Sequence, residues 1–246
     1  MSKVDSSLTC KILDWDSEFF GFKIGKILKN KLDSHDISEI SEWSEKNKIN
    51  CLYFLSDPSC YLTNNLILQE QYSLVDLRLT FSIDLKKYVV NREKSNTYLV
   101  RKAVKNDIQY MQNIAGNSHT DSRFYFDKNF PNEICTKFYQ KWICNSFEGY
   151  ADAVYVACLD NQVVGYITCH IKNNIGNIGL IAVKKNVRGM NIGKLLVESA
   201  LDWFFESNIF NVNVVTQGRN IASQRLYIKC NFKPESVMLW YHKWYH

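Results

Sequence analysis

Residues 179–196 read Gly179-Leu-Ile-Ala-Val-Lys-Lys-Asn-Val-Arg188-Gly189-Met190-Asn191-Ile192-Gly193-Lys194-Leu-Leu196. An apolar run passes into a short turn, and the turn opens a segment whose first residues are small. A strand that feeds a helix N-terminus presents unpaired backbone N–H groups and a partial positive charge, on which a phosphate can dock. Gly189 and Gly193 let a ligand approach the backbone closely. Arg188 and Lys194 add charge. The glycines also suit a plain tight turn, and the segment alone leaves both readings open.

The pattern extends in both directions. Downstream, the spacing predicts a helix over Ile192–Glu206, a strand over Val212–Thr216, a helix over Ile221–Lys229 and a strand over Ser236–His242. Upstream, Ala153–Leu159 and Val163–Ile171 read as strands joined by a tight hairpin at Asp160-Asn161-Gln162, and Asn173-Asn174 leads to a third strand, Ile178–Val183. Before these come a strand at Tyr98–Val100, a helical stripe (Ile108, Met111, Gln112, Ala115), an aromatic loop at Ser118–Phe130 and a helix started by Pro131. Strand, two helices, three-strand meander, helix, strand, helix, strand describes a mixed α+β sheet with a late crossover.

The first part of the chain is a smaller α/β arrangement. Strands are expected at Leu8–Leu13, Phe22–Leu28, Cys51–Leu55 and the alternating Leu74–Ile83, with an amphipathic helix from Ser34 to Lys46. The polar stretch Lys86–Asn96 marks the boundary, giving an N-terminal α/β domain over 1–92 and a second domain over 97–246.

Composition narrows the function classes. The 246 residues are 46% apolar and 22% charged with a net charge of +5, a globular balance that excludes a disordered or collagen-like chain. No apolar run approaches the roughly 20 residues of a membrane helix, and Met1-Ser-Lys-Val-Asp-Ser-Ser lacks a signal-peptide core, so a cytoplasmic protein without a membrane partner is expected. The cations form no run of five, which argues against nucleic acid, while a small anionic ligand fits. Eight cysteines without a CxxC pair or a histidine at ligand spacing predict buried free thiols and no metal.

Arg188, Gly189, Met190, Asn191, Ile192 and Gly193 together resemble the acetyl-CoA signature of the GCN5-related N-acetyltransferases (GNAT), (Gln/Arg)-x-x-Gly-x-(Gly/Ala). Asn191 stands at the middle glycine, and asparagine tolerates left-handed backbone better than other residues with a side chain. A second stretch, Asn220-Ile-Ala222-Ser-Gln-Arg225-Leu226-Tyr227-Ile-Lys-Cys-Asn231-Phe232, resembles the family's Asn-x-x-Ala-x-x-x-Tyr-x-x-x-Gly-Phe element, again with asparagine for glycine at Asn231. The resemblance implies the GNAT fold, a mixed and mostly antiparallel sheet flanked by helices, with acetyl-CoA as cosubstrate and no metal. It implies pantetheine lying along Leu180, Ile181, Ala182 and Val183, where a bulge splays the sheet. It implies pyrophosphate on Arg188–Lys194, Asn220 as helix cap, cofactor ligand or both, and Tyr227 as the acid that protonates the departing thiolate. It implies that the amine attacks the thioester directly, through a tetrahedral oxyanion of the kind backbone N–H groups stabilise. The base is not assignable among His119, His170 and several carboxylates.

Trp15-Asp16-Ser17-Glu18-Phe19-Phe20-Gly21 resembles the opening of the bacterial TDP-fucosamine acetyltransferases, GNAT enzymes that carry an N-terminal α/β extension. That resemblance implies an acceptor site with Asp16 and Phe20, to which the N-terminal domain contributes, and the amino group of a dTDP-linked deoxysugar as acceptor. Arg123, in Asp121-Ser122-Arg123-Phe124, suits a diphosphate or a stacked base and equally suits a surface ion pair. Another amine (polyamine, antibiotic, protein N-terminus) and a non-catalytic acyl-CoA-binding module are the alternatives. A homodimer through the aromatic strand Leu239–Tyr245 is left open.

Overall fold

The computed structural model describes residues 9–87 and 98–245, so the polar stretch Lys86–Asn96 lies, from residue 88 onward, outside the described residues. By compactness the chain groups into two units, Leu79–Ser236 and Met1–Arg78 with Val237–His246. The compactness division is a different cut from the one at the polar stretch: it returns the end of the chain to the N-terminal unit.

That unit contains β1 (Cys10–Ile12), α1 (Asp14–Phe20), β2 (Ile24–Ile27), α2 (Ser34–Asn47), β3 (Cys51–Ser56), α3 (Tyr61–Gln69) and the start of β4 (Ser73–Asp84). Antiparallel β1·β2 and parallel β2·β3 pairs are followed by an antiparallel pairing of β3 with Leu239–Trp244 of the last strand, β10 (Lys233–Trp244). The aromatic C-terminal stretch is thus a paired strand within its own chain, with Trp244 5.2 Å from Phe22 and Tyr241 stacked on Phe54. α2 begins at Asp33, whose carboxylate accepts from the Asp36 amide while Asp36 accepts from the Asp33 amide, a reciprocal cap. Its stripe of Ile37, Ile40 and Trp43 packs on Ile27, Leu52 and Phe54. The aromatic stretch before β2 forms the helix α1, closed by Gly21 at φ 79°.

The second unit contains β5 (Leu99–Lys102), α4 (Ile108–Gly116), α5 (Arg123–Phe126), α6 (Asn132–Asn145), β6 (Ala153–Leu159), β7 (Gln162–Lys172), β8 (Ile175–Val183), α7 (Ile192–Glu206), β9 (Asn211–Gln217) and α8 (Ile221–Lys229). Its strands lie in the order β4-β9-β8-β7-β6-β5. The pairs from β5 to β8 are antiparallel and β8·β9 is parallel, a mixed α+β sheet as the resemblance implied. Both hairpins turn on two residues of positive φ, Asp160-Asn161 and Asn173-Asn174, the geometry that matches strand twist. Pro131 takes the cap position one residue before α6, and α5 interrupts the expected loop with a single turn. α7 buries Leu196, Val197, Ala200, Leu201 and Phe204 on the sheet, and the Phe204 ring sits where a Cβ on Gly176 would be 2.8 Å away.

Candidate active site

β8 pairs with β9 only over Gly176–Ile178, so beyond Ile178 it keeps a partner on one edge, β7. The Lys184 amide donates to the Val164 carbonyl at 2.8 Å, which fixes the alternation. Ala182 therefore faces β7, while the N–H groups of Ile181 and Val183 point to the opposite, splayed side. On that side opens a cleft of about 420 Å³ that Ile181, Ala182 and Val183 help to line. Leu180 is buried just before it.

The turn into α7 forms the next wall. Gly189 adopts φ 84° with open space around its missing Cβ, so it is required by backbone conformation and not by crowding. Asn191 caps the helix at φ 60°, and Asn231 holds φ 65°, so both asparagines occupy left-handed positions. The Asn191 side chain accepts from the Lys229 ammonium at 2.9 Å. Arg188 donates from Nε to the Val183 carbonyl at 3.1 Å, tying the turn to the strand. Gly193 faces Leu226: a Cβ there would meet its Cδ2 at 3.1 Å. Lys194 pairs with Glu198 at 3.4 Å, and Ile192 is buried at the helix start.

The loop Ser118–Asp121 closes the cleft from the α4 side. His119 has φ 55°, bonds through Nε2 to the Tyr166 hydroxyl at 2.8 Å and stacks on Tyr139. Burial, with the nearby Arg188 charge, lowers its pKa to about 4, so the imidazole is neutral at pH 7. Asp121 is the one carboxylate lining the cleft among the described residues, beside three cations in the same lining, Arg188, Lys194 and Lys229.

The other predicted residues fall as follows. The Asn220 side chain accepts from the Ser223 amide at 3.0 Å, capping α8, and also lines the cleft. Tyr227 is buried between Phe81 and Phe232 and does not itself line the cleft. Burial raises its phenol pKa, against a lowering effect of a hydrogen bond with Ser223, which does line the cleft. Met190 is exposed and outside the lining. Arg123 stands over the Phe124 ring at 4.2 Å. Asp16 and Phe20 belong to the N-terminal unit, where Phe20 is buried beside Phe19 and Phe22. His170 sits on β7 near Thr168 and against Tyr150. Lys229 and Ser223 were not singled out by the sequence, although helical spacing from Asn220 places Ser223 one turn on.

Residues 117–232 match the model of the acetyltransferase (GNAT) family. Residues 117–232 are thus a GNAT acetyltransferase domain. GNAT domains as a family use acetyl-CoA, and the cleft suits it: an unpaired strand edge for an amide-bearing arm meets a cationic helix N-terminus for a pyrophosphate. The sequence is 26% identical over 138 residues to the spore coat polysaccharide biosynthesis protein SpsD of Bacillus subtilis, an alignment that covers 56% of this chain and 48% of that protein. It is 26% identical over 164 residues to the dTDP-fucosamine acetyltransferase of Escherichia coli, covering 65% and 69%. The chain therefore spans about half the length of the spore-coat relative. A GCN5-related N-acetyltransferase from Sphaerobacter thermophilus shares the GNAT fold at a TM-score of 0.68 and 12% identity, over 96% of this chain and 76% of that one. Among the described residues no group of three His, Cys, Asp or Glu side chains could hold a metal, and no helix is long and apolar enough to cross a membrane.

Proposed function

We propose that the protein acetylates the amino group of a nucleotide-linked (dTDP-) amino-deoxysugar used in surface polysaccharide, with Tyr227 as general acid. The observation that carries this acceptor is that two curated relatives are named for polysaccharide biosynthesis and for dTDP-fucosamine acetylation. Acetyl-CoA, when bound, supplies an acetyl group already activated as a thioester. Arg188, Lys194, Lys229 and the first amides of α7 hold its anionic end, and the outward N–H groups of Ile181 and Val183 receive carbonyl oxygens. Asp121 attracts an ammonium group, and the uncharged His119 beside it does not repel one. Arg123, just after this loop, serves the nucleotide diphosphate.

Tyr227 does not line the cleft, so its phenolic proton reaches the sulfur by way of Ser223, the cleft residue to which it is hydrogen-bonded. Its raised pKa keeps that proton in place throughout the neutral range, and makes donation to a group of thiol basicity, about 8.5, uphill. Tyr227→Phe is expected to lower kcat about 100-fold while acetyl-CoA affinity stays within about twofold. Unchanged turnover removes Tyr227 from the mechanism. The acceptor is tested by thiol-release assays on a panel of dTDP- and UDP-amino sugars, polyamines and peptides. Release only with polyamines or peptides overturns the sugar reading.

A further inference from the structure

The outward aim of the Ile181 and Val183 amides depends on a local irregularity. Between Ile167/Ile181 and Cys169/Ile178 the β7·β8 register shifts by one residue, so Gly179 and Leu180 of β8 face a single residue of β7, Thr168. An extra residue of this kind inverts which N–H groups face the neighbouring strand from that point on. Closing the bulge would turn the Ile181 and Val183 amides toward β7 and leave Ala182 facing the cleft.

Two features hold the bulge open. The Leu180 amide, displaced from a ladder partner, donates to Thr168 Oγ1 at 2.8 Å, in surroundings where Thr168 is fully buried. A buried amide left without such a partner is costly. Gly179 then leaves the space that the lock occupies. A Cβ at Gly179 would lie 2.7 Å from Thr168 Oγ1 and 2.5 Å from His170 Nε2, inside the distance real Cβ atoms keep. His170 Nε2 stands 3.5 Å from Thr168 Oγ1.

We infer that Thr168 is a positioning residue for the acyl donor: its hydroxyl, with the missing side chain of Gly179, locks the bulge that aims the β8 amides into the cleft. The inference rests on reading the cleft as the acetyl-CoA site. It assigns His170 a supporting place beside the lock and no part in proton transfer.

Calorimetry with two ligands on the purified full chain tests it. Acetyl-CoA uses the strand edge and the α7 turn, whereas 3′-phospho-ADP carries the pyrophosphate without the pantetheine arm and uses the turn alone. Thr168→Val keeps the shape and removes the hydroxyl. It should weaken acetyl-CoA about tenfold and leave 3′-phospho-ADP unchanged, while Thr168→Ser restores acetyl-CoA affinity. Gly179→Ala, which keeps the hydroxyl but fills its space, should give the same split and serves where the valine variant fails to fold. Wild-type affinity for acetyl-CoA in Thr168→Val, or equal losses for both ligands, overturns the lock. A wild-type chain that binds neither ligand instead overturns the reading of the cleft.

Discussion

His119 combines a left-handed backbone, uncommon for a residue with a side chain, with a half-buried imidazole fixed by Tyr166. Its folded pKa of about 4 lies below the value of about 6.5 expected when unfolded, so between these the native state binds fewer protons. Stability from this group is therefore full above about pH 6.5 and falls as the pH drops toward 4, by up to about 3 kcal/mol. His119→Gln should flatten that part of the stability curve, and NMR should show the ring titrating near the lower value. Titration near 6.5 would refute the neutral imidazole. The residue was legible only as one of several candidate bases, because a lone histidine in a sequence says nothing of what surrounds it. Asn191 and Asn231 were legible, since the left-handed tolerance of asparagine is a property of the residue itself.

At the scale of elements, the β5–α4 connection depends on Asp107. Its carboxylate takes both Arg101 guanidinium nitrogens, at 2.6 and 3.0 Å, and the Val104 amide at 2.8 Å. The Arg101 contact holds the carboxyl below its ordinary pKa against the opposing effect of burial. A depressed carboxylate stabilises the fold above its unfolded pKa of about 4, and the contribution is lost as the pH falls through the lower folded value. Asp107→Asn should lower stability by about 1–2 kcal/mol at neutral pH, a reduced figure because the guanidinium is still partly exposed, with little change at the acid end. Denaturant midpoints at two pH values check this, and equal losses at both would contradict it. α7 and α8 match their expected bounds because one carries a clear apolar stripe and the other an Asn220 cap. α3 was not legible: it has no side-chain cap and leaves Leu62 and Leu68 exposed, so no stripe marks it. A bulge along Leu180–Val183 was expected from the family resemblance alone, since no period in the sequence records a one-residue slip, and its position at Gly179–Leu180 comes from the structure.

For the whole molecule, a net charge of +5 over 246 residues is small, and its use depends on where the cations stand. Three of them line one cleft, against a single carboxylate among the described residues there. A polyanionic ligand should therefore bind with a marked salt dependence, its affinity falling about fivefold between about 0.05 and about 0.5 M salt as the screening length contracts. The three cations are not equivalent. Lys194 is partly neutralised by Glu198, and Arg188 also serves the Val183 carbonyl. Lys229 bonds to the uncharged Asn191 amide, which orients its ammonium without cancelling its charge. Lys229→Gln should thus weaken 3′-phospho-ADP binding more than Lys194→Gln does, and should flatten the salt slope more. Lys229 lies 38 residues from Asn191, so sequence inspection gave it no place at the site. Calorimetry across the salt range distinguishes the two variants: a larger effect at Lys194 would mean that the α7 turn alone, and not the end of α8, carries the charge that meets the ligand.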